Sequence, residues 1–286
     1  MQIGIRLHDS AKAPIEERLK NVRAQGFTCA HIALSKLFDE KKYSTESALT
    51  PGYAMYLKNL FAYNHLDVAV LGCYLNLANP NSEKLQEIQK KYEATIRFAS
   101  LLGAGVVGTE TGAPNEAYRY EPACRSKEAL DSFIRGLEPV VAYAEQMGVI
   151  VAIEPVAKHI VYDEKRAREV LKSIASPNLR IILDAVNLLD INNYREQETI
   201  VKRAIEELHE EVAVVHIKDY VVENDQLISV GAGKGNMNYD ALLDFIAKEK
   251  PFIHATLENT TPDTAVASKE FIEEKFINCW REQNRI

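Results

Sequence analysis

Four apolar, strand-like runs in this sequence each reach a side chain able to bind protons or cations. "VIVAIEP" halts at Glu154 and "LRIILDAVN" at Asp184, while "VAVVHIKD" reaches His216 and "FIHATLEN" reaches Glu258. A carboxylate closing a buried strand needs a partner, because an unpaired buried charge costs far more than a buried amide. Three carboxylates gathered at one place would repel and push their pKa values upward. A divalent cation removes that conflict by accepting oxygen and imidazole ligands together. The mixed set contains no thiolate, so it suits Mn²⁺, Co²⁺, Mg²⁺ or Zn²⁺, one ion per chain. Taken singly, each residue reads as a helix cap, a surface pair or a core histidine. Their recurrence on four successive strand ends is what points to chemistry.

The elements that must position them follow from periodicity. Short apolar runs at 2–7, 28–34, 67–75, 104–109, 149–154, 179–184, 212–217 and 253–258 alternate with segments of helical period. Those segments lie near 14–24, 52–64, 83–101, 127–146, 163–175, 197–209, 239–249 and 264–280. The runs are nearly continuous rather than alternating, as in strands buried on both faces. Eight such βα units predict an α/β protein, a single (β/α)8 TIM barrel domain over residues 1–286. A doubly wound open sheet is the alternative, but no G-x-G-x-x-G follows the first strand. In a barrel the C-terminal strand ends share one mouth. Glu154, Asp184, His216 and Glu258 would face each other there, from strands five to eight.

Punctuation agrees with this reading. Ser82, Ser126 and Asp163 stand where N-caps belong, and Pro14 can occupy the first turn of its helix. Gly26, Gly103 and Gly148 precede strands and can supply left-handed C′ residues. One long irregular stretch, 35–51, follows the second strand as an inserted loop, a candidate lid or specificity loop.

Composition restricts the partners. The chain has 286 residues, 47% hydrophobic and 26% charged, with a net charge of −7. An acidic balance argues against nucleic acid as a main partner. No window reaches 18 uncharged apolar residues, which argues against a membrane span. Cys29, Cys73, Cys124 and Cys279 are widely spaced, and two of them sit inside strand-like runs, as buried free thiols do. With no leader pattern at the N-terminus, a cytoplasmic location is expected. Apolar surface on the 35–65 segment is the expected place for a homo-oligomer contact.

The motifs "AIEP", "ILDAVN", "VHIKD", "GAGKGNMNY" and "ATLEN", in that order, resemble the xylose isomerase-like TIM barrel superfamily. That superfamily holds sugar and sugar-phosphate isomerases and epimerases, inosose dehydratases and endonuclease IV repair enzymes. The resemblance is strongest to its ketose 3-epimerase branch. It implies a metal held by Glu154, Asp184, His216 and Glu258, with Glu154 and Glu258 also moving protons. The expected substrate is a small polyhydroxy carbonyl compound, isomerised or epimerised through an ene-diolate. An inosose-type dehydratase on the same metal site is the alternative, and a non-catalytic metal- or sugar-binding barrel is a further one. The substrate shell departs from the branch. Asn187 stands where a His is usual, "KHIVY" (158–162) where a substrate-binding Glu is common, and Val222 where an Arg is frequent. Endonuclease IV needs histidines beyond strands six and seven; here Asn187 and Asp225-Gln226-Leu227 occupy those places, which disfavours DNA repair.

Further residues could reach the mouth. His8 and Asp9 end the first strand, Tyr74 and Asn76 follow the third, and Glu110 ends the fourth. Lys218 shares the strand parity of His216 and so points inward, to meet a substrate charge or pair with an acid such as Asp219. Asn187 follows strand six, and Lys158 and His159 lie in the loop after strand five, where a solvated loop is the plainer reading. Together His8, Glu110, Asn187, Lys218 and Lys158 form the expected substrate-contacting set. "GAGKGN" lacks the spacing of a phosphate loop; Gly231, Gly233 and Gly235 are expected to permit a tight turn.

Overall fold

A computed structural model of the protein describes residues 1–37 and 44–283. In chain order its elements are β1 (Gln2–Arg6), α1 (Ile15–Ala24), β2 (Cys29–Ala33), α2 (Leu34–Leu37), α3 (Pro51–Tyr63), β3 (Asp67–Gly72) and α4 (Ser82–Leu102). Next come β4 (Val106–Glu110), α5 (Lys127–Met147), β5 (Val151–Glu154), α6 (Glu164–Ile174), β6 (Leu179–Asp184), α7 (Gln197–Leu208) and β7 (Val212–Ile217). The chain closes with β8 (Asp219–Glu223), β9 (Gln226–Val230), α8 (Asp240–Glu249), β10 (His254–Leu257) and α9 (Ala265–Gln283).

Strands β1 to β7 and β10 form a closed barrel in which every pairing is parallel, β1 lying between β2 and β10. This is the (β/α)8 TIM barrel predicted from the periodicity. Side chains of Cys29, Ala69, Val70, Val106, Ala152, Ile182 and Val214 fill its interior. A larger apolar layer packs the helices onto its outside. The near-continuous apolar strands are thus accounted for, since each buries both faces. Cys29, Cys73 and Cys124 are buried free thiols.

Local chemistry sets the element ends. Ser126 and Asp163 cap α5 and α6 by accepting the backbone N–H groups of Ala129 and Arg166. The cap of α4 is Asn81, not Ser82: the Asn81 side chain accepts from both Glu83 and Lys84, and Ser82 is the first helical residue. The glycines at 26, 103 and 148 all have positive φ. In the "GAGKGN" loop only Gly233 does. Gly235 is needed for a different reason, because a Cβ there would lie 2.1 Å from the Tyr220 carbonyl oxygen.

One element escaped the periodicity. Directly after β7 the chain makes an antiparallel hairpin, β8 with β9, turned by Asn224 and Asp225 at φ 49° and 55°. Two successive positive-φ residues suit the tight turns that match strand twist. The 35–51 stretch holds α2 and a 3₁₀ turn over Glu46–Ala48; its residues 38–43 lie outside those described. Among the described residues, no helix is long and apolar enough to cross a membrane.

Candidate metal centre

Parallel register brings the chemical side chains level at one rim. Asp184 of β6 pairs with His216 of β7, His216 pairs with Thr256 of β10, and Glu110 of β4 pairs with Glu154 of β5. Glu258 directly follows β10, and its backbone N–H donates to the Ile217 carbonyl at 3.0 Å. Glu154, Asp184, His216 and Glu258 are all buried, none more than 5% exposed.

Their geometry suits a cation. Single ligand atoms of Glu154, Asp184 and His216 all lie within 4.8 Å of one another. Those of His31, His216 and Glu258 form a second such set. The four residues expected to act together therefore fall into two triads sharing His216, with His31 as a fifth member. His216 Nδ1 lies 3.3 Å from Glu154 Oε1 and 3.5 Å from Glu258 Oε1. Neither ring nitrogen makes a hydrogen bond of good geometry among the described residues. A buried imidazole with two idle nitrogens beside three carboxylates is a donor set that a divalent ion would satisfy.

A shell of side chains holds these groups. Asp184 Oδ1 accepts the backbone N–H groups of Val186 and Asn187 at 2.9 and 3.0 Å. Asn187 Nδ2 donates to Glu154 Oε1 at 2.6 Å, while its Oδ1 accepts from Lys218 Nζ at 2.7 Å. Lys218 Nζ also lies 2.9 Å from Asp184 Oδ2 and 3.6 Å from Glu258 Oε2. Arg6 reaches Glu258 Oε2 at 3.3 Å and binds Asp9 at 3.0 Å. His31 places Nδ1 3.4 Å from Glu258 Oε1, and its Nε2 is 3.0 Å from the Tyr74 hydroxyl.

The charges follow from these contacts. Burial opposes ionisation of Glu258, but His216, His31, Lys218 and Arg6 outweigh it and hold the carboxyl well below its usual range. Glu154 is lowered too, burial being overcome chiefly by His216. Burial works against a charged His216, yet Glu258 and Glu154 raise its pKa to about 9. Lys218 is raised above the ordinary lysine value because Asp184 and Glu258 overcome its burial. Glu110 goes the other way: burial, then the charge of Glu154, pushes it up to about 7. Two ready bases and one weak acid thus share the rim.

A cavity of about 700 Å³ opens above the centre, lined by Arg6, His8, Tyr74, Glu110, Asn187 and Lys218 among others. Of the residues singled out in the sequence, His8, Glu110, Asn187, Lys218 and Tyr74 line it. Lys158 does not: it is exposed and lies away from the lining. Asn76 is a structural clamp, donating to the Ala113 and Asn115 carbonyls. His159 packs its ring against Tyr118 and lies 3.7 Å from Glu110. Lys218 pairs with Asp184 rather than with its neighbour Asp219, whose carboxylate accepts the N–H groups of Tyr220, Gly233 and Met237. Arg6 and His31 were missed by the sequence reading. Their signal was a charged or polar residue inside the apolar runs "QIGIRL" and "TCAHIAL".

The sequence matches the family described as the xylose isomerase-like TIM barrel over residues 19–275. No curated protein sequence matches it significantly. Among solved structures, a D-tagatose 3-epimerase-like protein aligns with a TM-score of 0.76 at 21% identity, over 99% of both chains. The E. coli 3-keto-D-glucoside 4-epimerase, in apo form, aligns at 0.74 and 16% identity over 96% of this chain and 99% of that one. The IolI protein with a bound zinc atom gives 0.71 at 17% identity over 100% of both.

Proposed function

Because the chain belongs to the xylose isomerase-like TIM barrel family, we propose that it is a divalent-metal-dependent sugar isomerase or epimerase. Its substrate would be a small polyhydroxy carbonyl compound. The observation that carries this reading is the buried convergence of Glu154, Asp184, His216 and Glu258 around an imidazole with two idle nitrogens. The structural likeness to a D-tagatose 3-epimerase-like protein and to a 3-keto-D-glucoside 4-epimerase supports the same reading.

Glu154, Asp184, His216 and Glu258 would hold the ion, with His31 close enough to join them. When bound, the ion supplies a Lewis acid that makes a hydrogen beside a carbonyl acidic. The remaining work falls to the chain. Glu258 and Glu154 are both held ionised, so each can accept a proton. Asn187 fixes Glu154 by its amide, and Arg6 and His31 fix Glu258. The two carboxylates come from β5 and the end of β10, three places apart around the barrel with β6 and β7 between them. One would take the proton from one face of the substrate carbon, and the other would return a proton to the opposite face. Lys218 and Asn187 line the cavity beside them and would hold the oxygen that gains charge.

A dehydratase on the same centre is the second reading, favoured by Glu110. With its pKa raised to about 7, its carboxyl keeps a substantial protonated fraction near pH 7, in register with Glu154, where it could protonate a departing hydroxyl. A panel of keto sugars with Mn²⁺, Co²⁺, Mg²⁺ or Zn²⁺ tests both. Inversion or isomerisation that disappears in Glu154→Gln and Glu258→Gln supports the first; loss of water supports the second. Near-normal turnover in both variants would overturn the two-carboxylate mechanism.

A further inference from the structure

We infer that Lys218 is a tethered internal cation that occupies the metal's ligand oxygens and must be displaced when a metal enters. The inference rests on the metal site proposed above. Asp184 has only one oxygen to offer a metal, because Oδ1 is already taken by two backbone N–H groups. The remaining oxygen, Oδ2, is the one that Lys218 Nζ meets at 2.9 Å. The same ammonium lies 3.6 Å from Glu258 Oε2, and Asn187 Oδ1 accepts from it at 2.7 Å. Lys218 thus bridges both metal triads: Asp184 belongs to one and Glu258 to the other.

Lys218 lies two residues after His216, just beyond the end of β7, and its contacts with Asp184 and Glu258 place its ammonium on the same inner side. A compact point charge on a flexible four-carbon stem can leave where a rigid guanidinium could not. An exit exists, because Lys218 lines the cavity above the centre. The site therefore has two charge-compensated arrangements, one with the ammonium in and one with a metal in. Metal entry turns the ammonium toward the cavity, where the substrate's developing negative oxygen would sit. Metal loading and electrophile positioning become one event.

This differs in sign from the ordinary role of a residue that supports a metal ligand. Loss of such a supporting partner typically weakens metal affinity 10–100-fold. Loss of a competitor strengthens it. The test titrates Mn²⁺ alone into the wild-type protein and into Lys218→Met by calorimetry. The expected result is a Kd at least tenfold smaller in Lys218→Met, or binding that appears only in that variant. An unchanged or larger Kd, with wild-type binding intact, overturns the inference and leaves the metal site standing. Absence of binding in both proteins, repeated with Co²⁺, Mg²⁺ and Zn²⁺, removes the metal site and this inference together. A second measurement needs no variant. Amine-reactive labelling of wild-type protein, read by peptide mass spectrometry against exposed Lys158 as reference, should modify Lys218 several-fold more with Mn²⁺ than without. Equal or lower labelling with metal would overturn the displacement.

Discussion

The rings of His31 and His216 stack with centroids 5.1 Å apart and planes only 13° from parallel. They come from β2 and β7, three places apart around the barrel. Two stacked imidazolium ions would repel, and the site resolves this by asymmetry. Burial lowers the pKa of His31, while the carboxylates raise that of His216. A neutral His31 donating Nδ1–H to Glu258 would accept the Tyr74 hydroxyl proton at Nε2. His31→Phe, which keeps the stack, should then weaken Mn²⁺ binding by about 10–100-fold. Calorimetric Kd values that match wild type would reduce His31 to packing.

Metal uptake should expel a proton. His216 titrates near 9 in the folded protein against a usual 6.5. Its protonated ring therefore stabilises the fold fully below pH 6.5, and that contribution is lost as pH rises through 9. A metal needs the neutral ring. Between pH 7 and 9, affinity should rise by roughly tenfold per pH unit, with about one proton released per ion at pH 7. Calorimetry in buffers of different ionisation enthalpy counts that proton; a count of zero at pH 7 would contradict the assignment.

A bound metal should also hold the folded state. At free metal 100 times Kd the gain is about 2.7 kcal/mol, several degrees in Tm. Asp184→Ala, which removes the Oδ2 ligand, should abolish the metal-dependent rise in a thermal scan. A variant that still gains the full increment would move the ion elsewhere.

Glu110 is a strained acid. Its folded pKa of about 7 exceeds the usual 4.5, so ionising it weakens the fold progressively as pH climbs from 4.5 through 7. Glu110→Gln removes that cost. Its Tm should exceed that of the wild type, and by more at pH 8 than at pH 5. An equal difference at both values would show that the carboxyl titrates normally.

Gly136 lies inside α5, where alanine would ordinarily stabilise a helix by about 1 kcal/mol. Here a Cβ would lie 1.8 Å from the Leu77 carbonyl oxygen, which is backbone and cannot yield cheaply. Gly136→Ala should instead destabilise by about 1–3 kcal/mol. Chemical denaturation measures the sign.

Periodicity revealed the barrel because each strand buries both faces and each helix shows its own punctuation. β6 at Leu179–Asp184 and β7 at Val212–Ile217 coincide with the apolar runs, and the reactive ends were visible as abrupt changes from apolar to ionisable residues. What stayed hidden depends on the third dimension. His31 sits in mid-strand among apolar neighbours, indistinguishable from a core histidine until ring closure sets it against His216. The donation of two backbone N–H groups, from Val186 and Asn187, to the single oxygen Asp184 Oδ1 is a turn property that no spacing reveals. The hairpin β8–β9 was masked because "VVENDQLISV" is short and its Asn-Asp turn lacks glycine.

The contact between Arg6 and Glu258 joins residues 252 apart in sequence. It crosses the seam where β1 meets β10, so the centre is complete only when the ring is shut. During synthesis the N-terminal units emerge first, and Glu154, Asp184 and His216 all precede the last ligand. A growing chain could order most of its helices while lacking the group that completes the pocket. The metal would then act as a seal on finished barrels and not as a template for unfinished ones. An arrested chain ending before β10, with Glu154, Asp184 and His216 but not Glu258, should hold an ion far more weakly than the closed barrel.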